Sequence, residues 1–506
     1  MASAEMMHRA LELEEIRITI ARFLDVPSIL ACASCCREWH QSFARHIWYS
    51  LSLRSNVPQL PPRKLLEANK HYIHQLVISG WNILQNFELT GCSSLTQLEL
   101  YGPAYRQEDM DNWHPWTSLV THHQSTLQHI TVCTWIIMAE QFCVALAGCS
   151  KLKTLRLSGR LIDQDNGVAL WNACQTLQSL HLEYTGLPDW SPETPPNASK
   201  IQRLTVTKPQ RSCNGLELLK QCPQLRSLTW SDSDAVMLPL QAMGQALLKD
   251  QQWPHLEELN LNLIGYKEQD QDLAMMLEGI HRLVTLHAAG SGFGPKCVEA
   301  IRMHQSTVTT LDLAMCLQIT SPMVQTLLTS MTALESLTIG RIHYLDIING
   351  APWVSLRLRR LAIAIDMKKP PEVVEEERKK RKQGVRHSEI KSVFEAQQRG
   401  VFQRLSTLEQ LCSLALLSPS SSNGSMGNDQ TLDFRQSMGL DSLSTLKRLE
   451  EFAFKSFHQY MTMNDVRWIL DHWPRLRKIT GQLSMDPAAY YEMKSFLNTR
   501  GISVCD

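Results

Sequence analysis

A cluster of cysteine and histidine side chains near the N-terminus carries the atoms that zinc prefers as ligands. It comprises Cys32, Cys35, Cys36, His40 and His46. A structural zinc site combines such residues in two ligand pairs at fixed spacing. A second pair at suitable spacing is missing from this chain. The sequence therefore predicts no zinc site, and we expect no metal or other cofactor.

A glycine-rich stretch at residues 288–296 is the second candidate for chemistry. Gly290, Gly292 and Gly294 lie between a predicted strand and a predicted helix, where a phosphate-binding loop would be found. Their spacing fits neither G-x-G-x-x-G nor G-x-x-x-x-G-K-[ST], and a turn of a repeated unit explains them better. No G-x-S-x-G, H-E-x-x-H or paired-acid motif stands in a recognisable setting. The sequence thus predicts a protein that is not an enzyme.

The bulk composition excludes several other classes. Lysine plus arginine equals aspartate plus glutamate, 50 against 50, so no global field favours nucleic acid or an anionic membrane. No apolar run is long enough to cross a bilayer. Residues 1–22 are interrupted by charges and lack the apolar core of a signal peptide. Fourteen cysteines in 506 residues are too dilute for a disulfide scaffold. We expect a cytoplasmic or nuclear protein, or both, without membrane or nucleic-acid partners.

The elements that must position any site come from a repeated phrase, L-x-x-L-x-L, with a period of roughly 25 residues. Its last two apolar residues point to the same side of a short strand. One such strand cannot bury its apolar side alone, so successive copies must stack into a parallel sheet. The copies begin at Ile73, Leu95, Leu127, Leu152, Leu177, Ile201, Leu225, Leu256, Leu283, Val308, Leu334 and Leu358, with looser copies at Leu411, Leu449 and Leu476.

Segments between these strands have apolar residues three and four apart, which predicts amphipathic helices at 135–148, 234–250, 267–282, 295–304 and 322–331. Strand and helix in alternation resemble leucine-rich repeats across most of 73–485. Cys92, Cys149, Cys174 and Cys222 each precede a repeat by three residues, and Cys316 follows a strand. This pattern is similar to the cysteine-containing repeat class often found behind an F-box. The resemblance implies an α/β solenoid, a horseshoe with a parallel sheet, in which the cysteines are small buried residues.

Residues 11–53 predict three short helices instead of repeats. Ile16, Ile20, Phe23 and Leu24 fall on one helical stripe, which residues 25–27 interrupt. A second helix is predicted at 29–36, with Ser28 able to begin it. The third carries Trp39, Phe43 and Ile47. So few residues are too small a core to be stable without a partner surface.

This segment resembles the F-box, in the style of fungal members of that family. Glu15-Ile16, Ile20 and Leu24-Asp25 match its pattern in order and spacing, and Cys36-Arg37-Glu38-Trp39 matches its end. Glu14 departs from it, since many members carry proline there. The resemblance implies docking on a Skp-type adaptor of a cullin–RING ubiquitin ligase. The implied adaptor contacts are Leu13, Glu15, Ile16, Ile20, Leu24, Leu30, Cys36 and Trp39; Ile20, Leu24 and Trp39 could equally form the core of the helices.

Target binding would then use the concave face of the sheet. The residue between the last two apolar positions of each phrase points there. These residues are Glu99, Arg156, His181, Thr205, Thr229, Asn260, His287, Asp312 and Thr338. They carry no single sign of charge, which disfavours phosphate-rich ligands. For any single residue, ordinary solvation of an exposed strand is the better explanation, and only the set is a plausible site.

The longest steps between repeats predict insertions at 366–407 and 417–442. A basic run at 378–382 could serve nuclear import, although glutamates four residues earlier favour a solvated charged helix. Residues 418–439 read as a flexible loop open to phosphorylation, and 185–200 as a proline-rich loop. The predicted organisation is therefore an N-terminal tail (1–10), the helical module (11–53), a linker (54–72), the repeats (73–485) and a C-terminal cap (486–506).

Together these patterns predict the substrate-recognition subunit of an SCF-type ubiquitin ligase, in which the helices bind the adaptor and the repeats bind a target protein. The alternative is a leucine-rich-repeat interaction scaffold unconnected with ubiquitination. The target itself is not encoded in any pattern of the repeat.

Overall fold

The computed structural model describes residues 11–54, 61–80, 83, 89, 91–102, 113–159, 167–186, 199–209, 215–231, 238–262, 269–368, 374–375, 387–417, 432–454 and 459–505. Three short helices lie at the start of this part of the chain. They are α1 (Glu14–Ala21), α2 (Val26–Ala33) and α3 (Arg37–Ile47). The Asp25 carboxylate accepts a hydrogen bond from the Ser28 amide at 3.0 Å and caps α2. The second helix therefore begins ahead of Ser28, because aspartate is a strong N-cap and Pro27 fits the first helical turn.

The chain divides into two compact units, Met1–Leu238 and Pro239–Asp506. The first unit contains a parallel sheet that follows the helices. Its strands are β1 (Ser50–Arg54), β2 (Gln75–Ser79), β3 (Gln97–Tyr101), β4 (His129–Cys133), β5 (Thr154–Ser158), β6 (Ser179–Glu183), β7 (Arg203–Thr207) and β8 (Ser227–Ser231). Between them lie α4 (Arg63–Asn69), a 3₁₀ turn (Lys70–Tyr72), α5 (His114–His122), α6 (Glu140–Ala147), α7 (Gly167–Cys174) and α8 (Gly215–Lys220).

The second unit continues the same alternation. Its strands are β9 (Glu258–Asn262), β10 (Thr285–His287), β11 (Thr310–Leu313), β12 (Ser336–His343), β13 (Arg360–Asp366), β14 (Ser413–Leu417), β15 (Glu451–Ala453), β16 (Lys478–Thr480) and β17 (Ser503–Cys505). Its helices are α9 (Leu240–Asp250), α10 (Asp270–Gly279), α11 (Pro295–Arg302), α12 (Ser321–Ser330), α13 (Tyr344–Asn349), α14 (His387–Ser406), α15 (Met463–His472) and α16 (Pro487–Thr499), with 3₁₀ turns at Gln436–Met438 and Leu440–Thr445.

Within each unit, every strand pairs in parallel with the next one along the chain, and the leucines of the phrase meet in register. Leu98, for example, lies opposite Ile130, and Ile130 lies opposite Leu155. All three side chains are buried, so each repeat adds one layer to a continuous apolar core. The predicted α/β solenoid of leucine-rich repeats is confirmed.

Two of the seventeen described strands lie outside the predicted repeats. β1 pairs with β2, and β17 pairs with β16. β1 has Trp48 where the phrase has its first leucine, and β17 is only three residues long. Both strands therefore depart from the leucine phrase on which the prediction rests.

The predicted helices are present, and two of them differ from the prediction at their first turn. In the segment predicted at 234–250, helix α9 begins at Leu240, directly after Pro239, which cannot donate a backbone hydrogen bond and restricts the residue before it. Likewise, the segment predicted at 135–148 becomes helical at Glu140. Residues 135–139 thus remain outside the helix.

The repeat cysteines are buried, as predicted. The thiols of Cys149 and Cys222 donate hydrogen bonds to carbonyl oxygens one helical turn earlier, at 3.5 Å. Burial raises the pKa of Cys92 to about 11 and that of Cys149 to about 12, so both remain protonated thiols near neutral pH. Every cysteine among the described residues is a free thiol.

Two buried glutamines anchor the segment that precedes β15. The Gln459 side chain accepts from the Phe434 amide (2.9 Å) and donates to the Leu432 carbonyl (2.8 Å). Gln398 pairs in the same manner with the backbone of Asp433, at 3.0 and 2.7 Å. These bonds hold Phe434 in the core, where its ring lies 5.1 Å from that of Phe452.

Several sequence predictions fall outside the described residues. These are the N-terminal tail 1–10, the basic run 378–382, most of the predicted flexible loop, and 187–198 of the proline-rich loop. Within the described part of the chain, no helix is both long and apolar enough to span a membrane.

Candidate functional site

The helical module presents a group of apolar side chains to solvent. We call Leu13, Ile16, Phe23, Val26 and Leu30 the helical patch; all five are exposed. Phe23 is the extreme case, with 84% of its surface accessible. It follows the end of α1, so its side chain has left the buried stripe that the sequence predicted for it. Apolar groups gathered on so small a module are typical of an interaction surface.

The remaining apolar residues of the module form its own core. Ala21, Ile29, Ala33 and Phe43 are buried there. Ile20, Leu24 and Trp39 are partly buried and pack against this core. The Trp39 ring stacks on that of Phe43 at a centroid distance of 5.3 Å.

The predicted adaptor residues therefore divide into two sets. Leu13, Glu15, Ile16, Leu30 and Cys36 are exposed and available to a partner. Ile20, Leu24 and Trp39 pack against the core and hold the helices together. The sequence missed Phe23 and Val26 as surface residues, because it could not locate the end of α1.

Polar contacts fix how the three helices sit on one another. The buried Arg17 side chain donates to Ser42 at 2.9 Å and to the backbone carbonyls of Leu11 and Glu12. Glu14, at the start of α1, forms an ion pair with Arg45 in the last turn of α3. These contacts join the start and the middle of α1 to α3 and to the preceding chain.

The sheet of the first unit brings five of the predicted target-binding residues into one row. Glu99, Arg156, His181, Thr205 and Thr229 occupy equivalent positions in successive strands, and the register joins them through Thr131. Thr131 belongs to the row but was missed, as was Val77 at its other end. Alternating burial along each strand shows that the row faces away from the core.

Within this row, charge is neutralised in the middle. The Arg156 guanidinium donates to Glu183 at 3.1 Å. His181 Nε2 lies 3.8 Å from the same carboxylate, too far for a hydrogen bond. Burial and the neighbouring Arg156 lower the pKa of His181. Burial alone would raise the pKa of Glu183, but the Arg156 contact outweighs it and lowers that pKa. The Arg156–Glu183 pair is thus ionised, beside a neutral imidazole, near neutral pH.

The Glu99 carboxylate has different surroundings. Its oxygens accept hydrogen bonds from the side-chain amides of Gln75 and Gln97, at 3.3 and 2.9 Å. A third comes from the Tyr101 hydroxyl at 3.1 Å. Burial and this bond raise the pKa of Tyr101. All three donors are neutral, so they orient the carboxylate without cancelling its charge.

An aromatic and cationic rim follows the carboxyl ends of the strands. The Trp135 and Tyr184 rings lie 6.0 Å apart, beyond β4 and β6. Lys208, beyond β7, lies 3.2 Å from the Tyr184 hydroxyl and 5.3 Å from its ring centre. Gly159 stands between the two aromatic residues with φ +113°, and an added Cβ would meet the Thr134 carbonyl oxygen at 1.9 Å. Only glycine fits there.

The second unit brings the other four predicted residues into a row of its own. Asn260, His287, Asp312 and Thr338 are in register across β9 to β12. His287 Nδ1 lies 3.6 Å from the Asp312 carboxylate. The row continues through three alanines, Ala362, Ala415 and Ala453. Its polar character is therefore interrupted after β12 and returns at Thr480 of β16.

The backbone amides at the end of the glycine-rich stretch 288–296 are already bound by a carboxylate of the chain. The Asp270 carboxylate accepts hydrogen bonds from the amides of Gly294 (2.9 Å), Lys296 (2.9 Å) and Cys297 (3.0 Å) at the start of α11. An anion held by this helix start would have to displace that carboxylate. Among the described residues, no group of three or more histidine, cysteine or acidic side chains could hold a metal ion.

Comparison with known proteins assigns this chain to no family. No family model matches the chain, and no curated protein matches it. Among solved structures, it matches the one described as "Crystal structure of TLR13-ssRNA13 complex", with a TM-score of 0.31 and 13% identity. That match covers 92% of this chain and 55% of the other, so the chain spans about half its length. A TM-score this low indicates neither a shared fold in detail nor a shared function.

Proposed function

We propose that this chain is the substrate-recognition subunit of an SCF-type cullin–RING ubiquitin ligase. The helical patch would dock a Skp-type adaptor, and the polar rows on the sheet would hold a target protein. The observation that carries the proposal is the exposed helical patch on a three-helix module joined to leucine-rich repeats. In this role the chain performs no bond chemistry of its own, and solenoids of this kind usually present a binding surface.

The helical patch supports docking through its burial energetics. Fully burying a phenylalanine or leucine side chain contributes about 1.5–3 kcal/mol. Phe23 is almost fully exposed, so its burial by a partner would contribute most of that range, about 2 kcal/mol. Leu30 is 48% exposed, so it would contribute about 1 kcal/mol. Burial of these two side chains would together contribute about 3 kcal/mol to docking.

The contacts within the module support the same division. Ile20, Leu24 and Trp39 pack against the core of the helical module, whereas the residues of the helical patch are not among those that pack there. A substitution in the patch should therefore weaken docking without unfolding the module. One at Trp39 should do both, because it also removes the stacking on Phe43.

Co-purification of the full chain with a Skp-type adaptor and a cullin tests the proposal. Wild type should retain the adaptor, and Phe23→Asp should lose it by at least thirtyfold, the equivalent of about 2 kcal/mol. Leu317→Asp is the matched control, because Leu317 is equally exposed (81%) but lies in the second unit. It should retain the adaptor fully.

A wild-type chain that retains no adaptor would contradict the ligase role and leave an interaction scaffold whose helices serve another partner. Equal losses for Phe23→Asp and Leu317→Asp would contradict the assignment of the helical patch. Thermal unfolding of each variant distinguishes lost docking from lost folding.

A further inference from the structure

We propose that the exposed sheet face of the first unit recognises an extended peptide segment that carries opposite charges near its two ends. The segment carries a basic side chain over Glu99, an acidic side chain near Lys208, and an apolar residue between them that packs on Trp135 and Tyr184. This deepens the proposed function by giving the class of target sequence. It rests on that function only in taking the face as the target-binding surface.

The anionic end of the face is Glu99. Three neutral donors hold its carboxylate in one orientation. Among the residues that the structure describes, no lysine, arginine or histidine nitrogen lies within ion-pair distance of it. A fixed, half-buried carboxylate with its charge uncompensated favours a cationic side chain from a ligand.

The cationic end is Lys208, four strands further along the sheet. Its ammonium contacts the hydroxyl and the ring of Tyr184, both neutral groups. The described part of the chain places no carboxylate within ion-pair distance of it. Lys208 is exposed, so a ligand carboxylate can approach without displacing another side chain.

Between the two ends the face is electrically neutral and partly apolar. Arg156 and Glu183 neutralise one another, so neither selects a ligand charge. The Trp135 and Tyr184 rings lie 6.0 Å apart and together offer an aromatic surface, with Trp135 exposed. This surface suits an apolar side chain in the middle of the segment.

The dimensions indicate the spacing of the two charges. From β3 to β7 there are four inter-strand steps of about 4.8 Å, or about 19 Å. Lys208 also lies three residues beyond Thr205, the position in line with Glu99, which adds about 10 Å along the strand and makes the separation about 21 Å. An extended chain covers about 3.3–3.6 Å per residue, so the basic and acidic residues should lie about six positions apart. Because the strand amides and carbonyls already pair with one another, the face can select a peptide only through side chains.

Selection of a phage-displayed peptide library on the immobilised full-length chain tests the proposal without any adaptor. Enriched peptides should carry a basic and an acidic residue about six positions apart, with an apolar residue between. The best peptide, labelled with fluorescein, then provides binding constants by fluorescence anisotropy. Glu99→Gln and Lys208→Ala should each weaken binding by roughly fivefold, and each effect should vanish for the peptide lacking the corresponding charge.

Two features of the chain keep this test specific. Glu99→Gln preserves the side-chain shape, and its neighbours can reorient, since glutamine amides flip and a tyrosine hydroxyl also accepts hydrogen bonds. Arg203→Ala is the matched control for Lys208→Ala, because Arg203 is an exposed cation at the other end of the same strand, about 16 Å away. It should leave binding unchanged.

Failure to enrich any peptide, or enrichment without the paired charges, would overturn the proposal. So would equal effects of Arg203→Ala and Lys208→Ala. None of these outcomes depends on the helical patch, and loss of adaptor binding would leave the peptide result unchanged. The two proposals can therefore fail separately.

Discussion

Replacing Glu14 with proline tests what stabilises the start of the first helix. Glu14 is the first residue of α1, and Leu13 before it is extended, with φ −74° and ψ 127°. Proline fits the first helical position, and the residue before a proline favours an extended backbone. We predict that Glu14→Pro changes the free energy of opening of the helical module by less than about 1 kcal/mol.

The magnitude follows from opposing contributions. The ion pair with Arg45 joins side chains that are 54% and 39% exposed, and solvent screening limits such a pair to about 0–1 kcal/mol. Loss of a carboxylate from the first turn costs about 0.3–1 kcal/mol more at low salt. Proline stabilises the folded module by about 0.4–1 kcal/mol, because it restricts the conformations of the unfolded chain. The contributions nearly cancel, so proline at this position is not required for the fold.

Hydrogen exchange measured by mass spectrometry on peptides from residues 14–47 of the full chain reports this opening free energy. Thr19→Pro is the control, since Thr19 is exposed within α1 and proline there breaks an internal helix hydrogen bond at a cost of about 3 kcal/mol. A loss for Glu14→Pro as large as that for Thr19→Pro would refute the reasoning. High salt should shift the balance in favour of the proline variant, because it screens the charged contacts that proline removes.

Three further predictions concern the repeats. Gly159→Ala should lower the unfolding free energy, measured in urea, by about 3 kcal/mol, because the added Cβ would collide with the Thr134 carbonyl oxygen. Gly290→Ala is the control: the space around Gly290 is open, so its unfolding free energy should fall by only about 1 kcal/mol. Burial would raise the pKa of Asp270, but the hydrogen bonds donated at the start of α11 outweigh it and lower that pKa. The stability from this carboxylate is therefore present above its unfolded pKa of 3.8 and lost as pH falls through the lower folded value. In urea titrations, the unfolding free energy of Asp270→Asn should fall less on acidification than that of wild type. An equal fall in both proteins would contradict this prediction. Gln459→Leu should lose about 2–4 kcal/mol in the same assay, since it leaves two buried backbone groups without partners, and a loss below 1 kcal/mol would mean that water replaces the amide.

The strands were predictable because leucine spacing reports burial directly. Leu98 and Leu100 are two apart and both buried, as a period of two requires. The same period correctly identified the outward-facing position at Glu99 and Arg156. It failed where the phrase is incomplete, as at β1, and where helix ends depend on a single residue, as at Pro239.

The contacts between outward residues were not predictable from the sequence. Arg156 lies opposite His181, as the repeat predicts, but its guanidinium contacts Glu183, two residues further along β6. That choice depends on side-chain conformations, which the period of the repeat does not specify. Phe23 illustrates a similar problem, since α1 ends at Ala21 and leaves Phe23 exposed, whereas Ile20 and Leu24 pack against the core.

The repeat restricts inward positions to apolar side chains but does not restrict outward positions, so the chemistry of the outward face differs from strand to strand. In the first unit the outward row carries a charged pair and an uncompensated carboxylate, Glu99. In the second unit the row passes from Asp312 to a run of alanines at Ala362, Ala415 and Ala453. Alanine offers neither charge nor a hydrogen bond, so that part of the face can distinguish ligands only by shape and apolar contact. Electrostatic selection of a peptide therefore falls to the strands that carry charge, and in the first unit these are β3 to β7 with the rim that follows them.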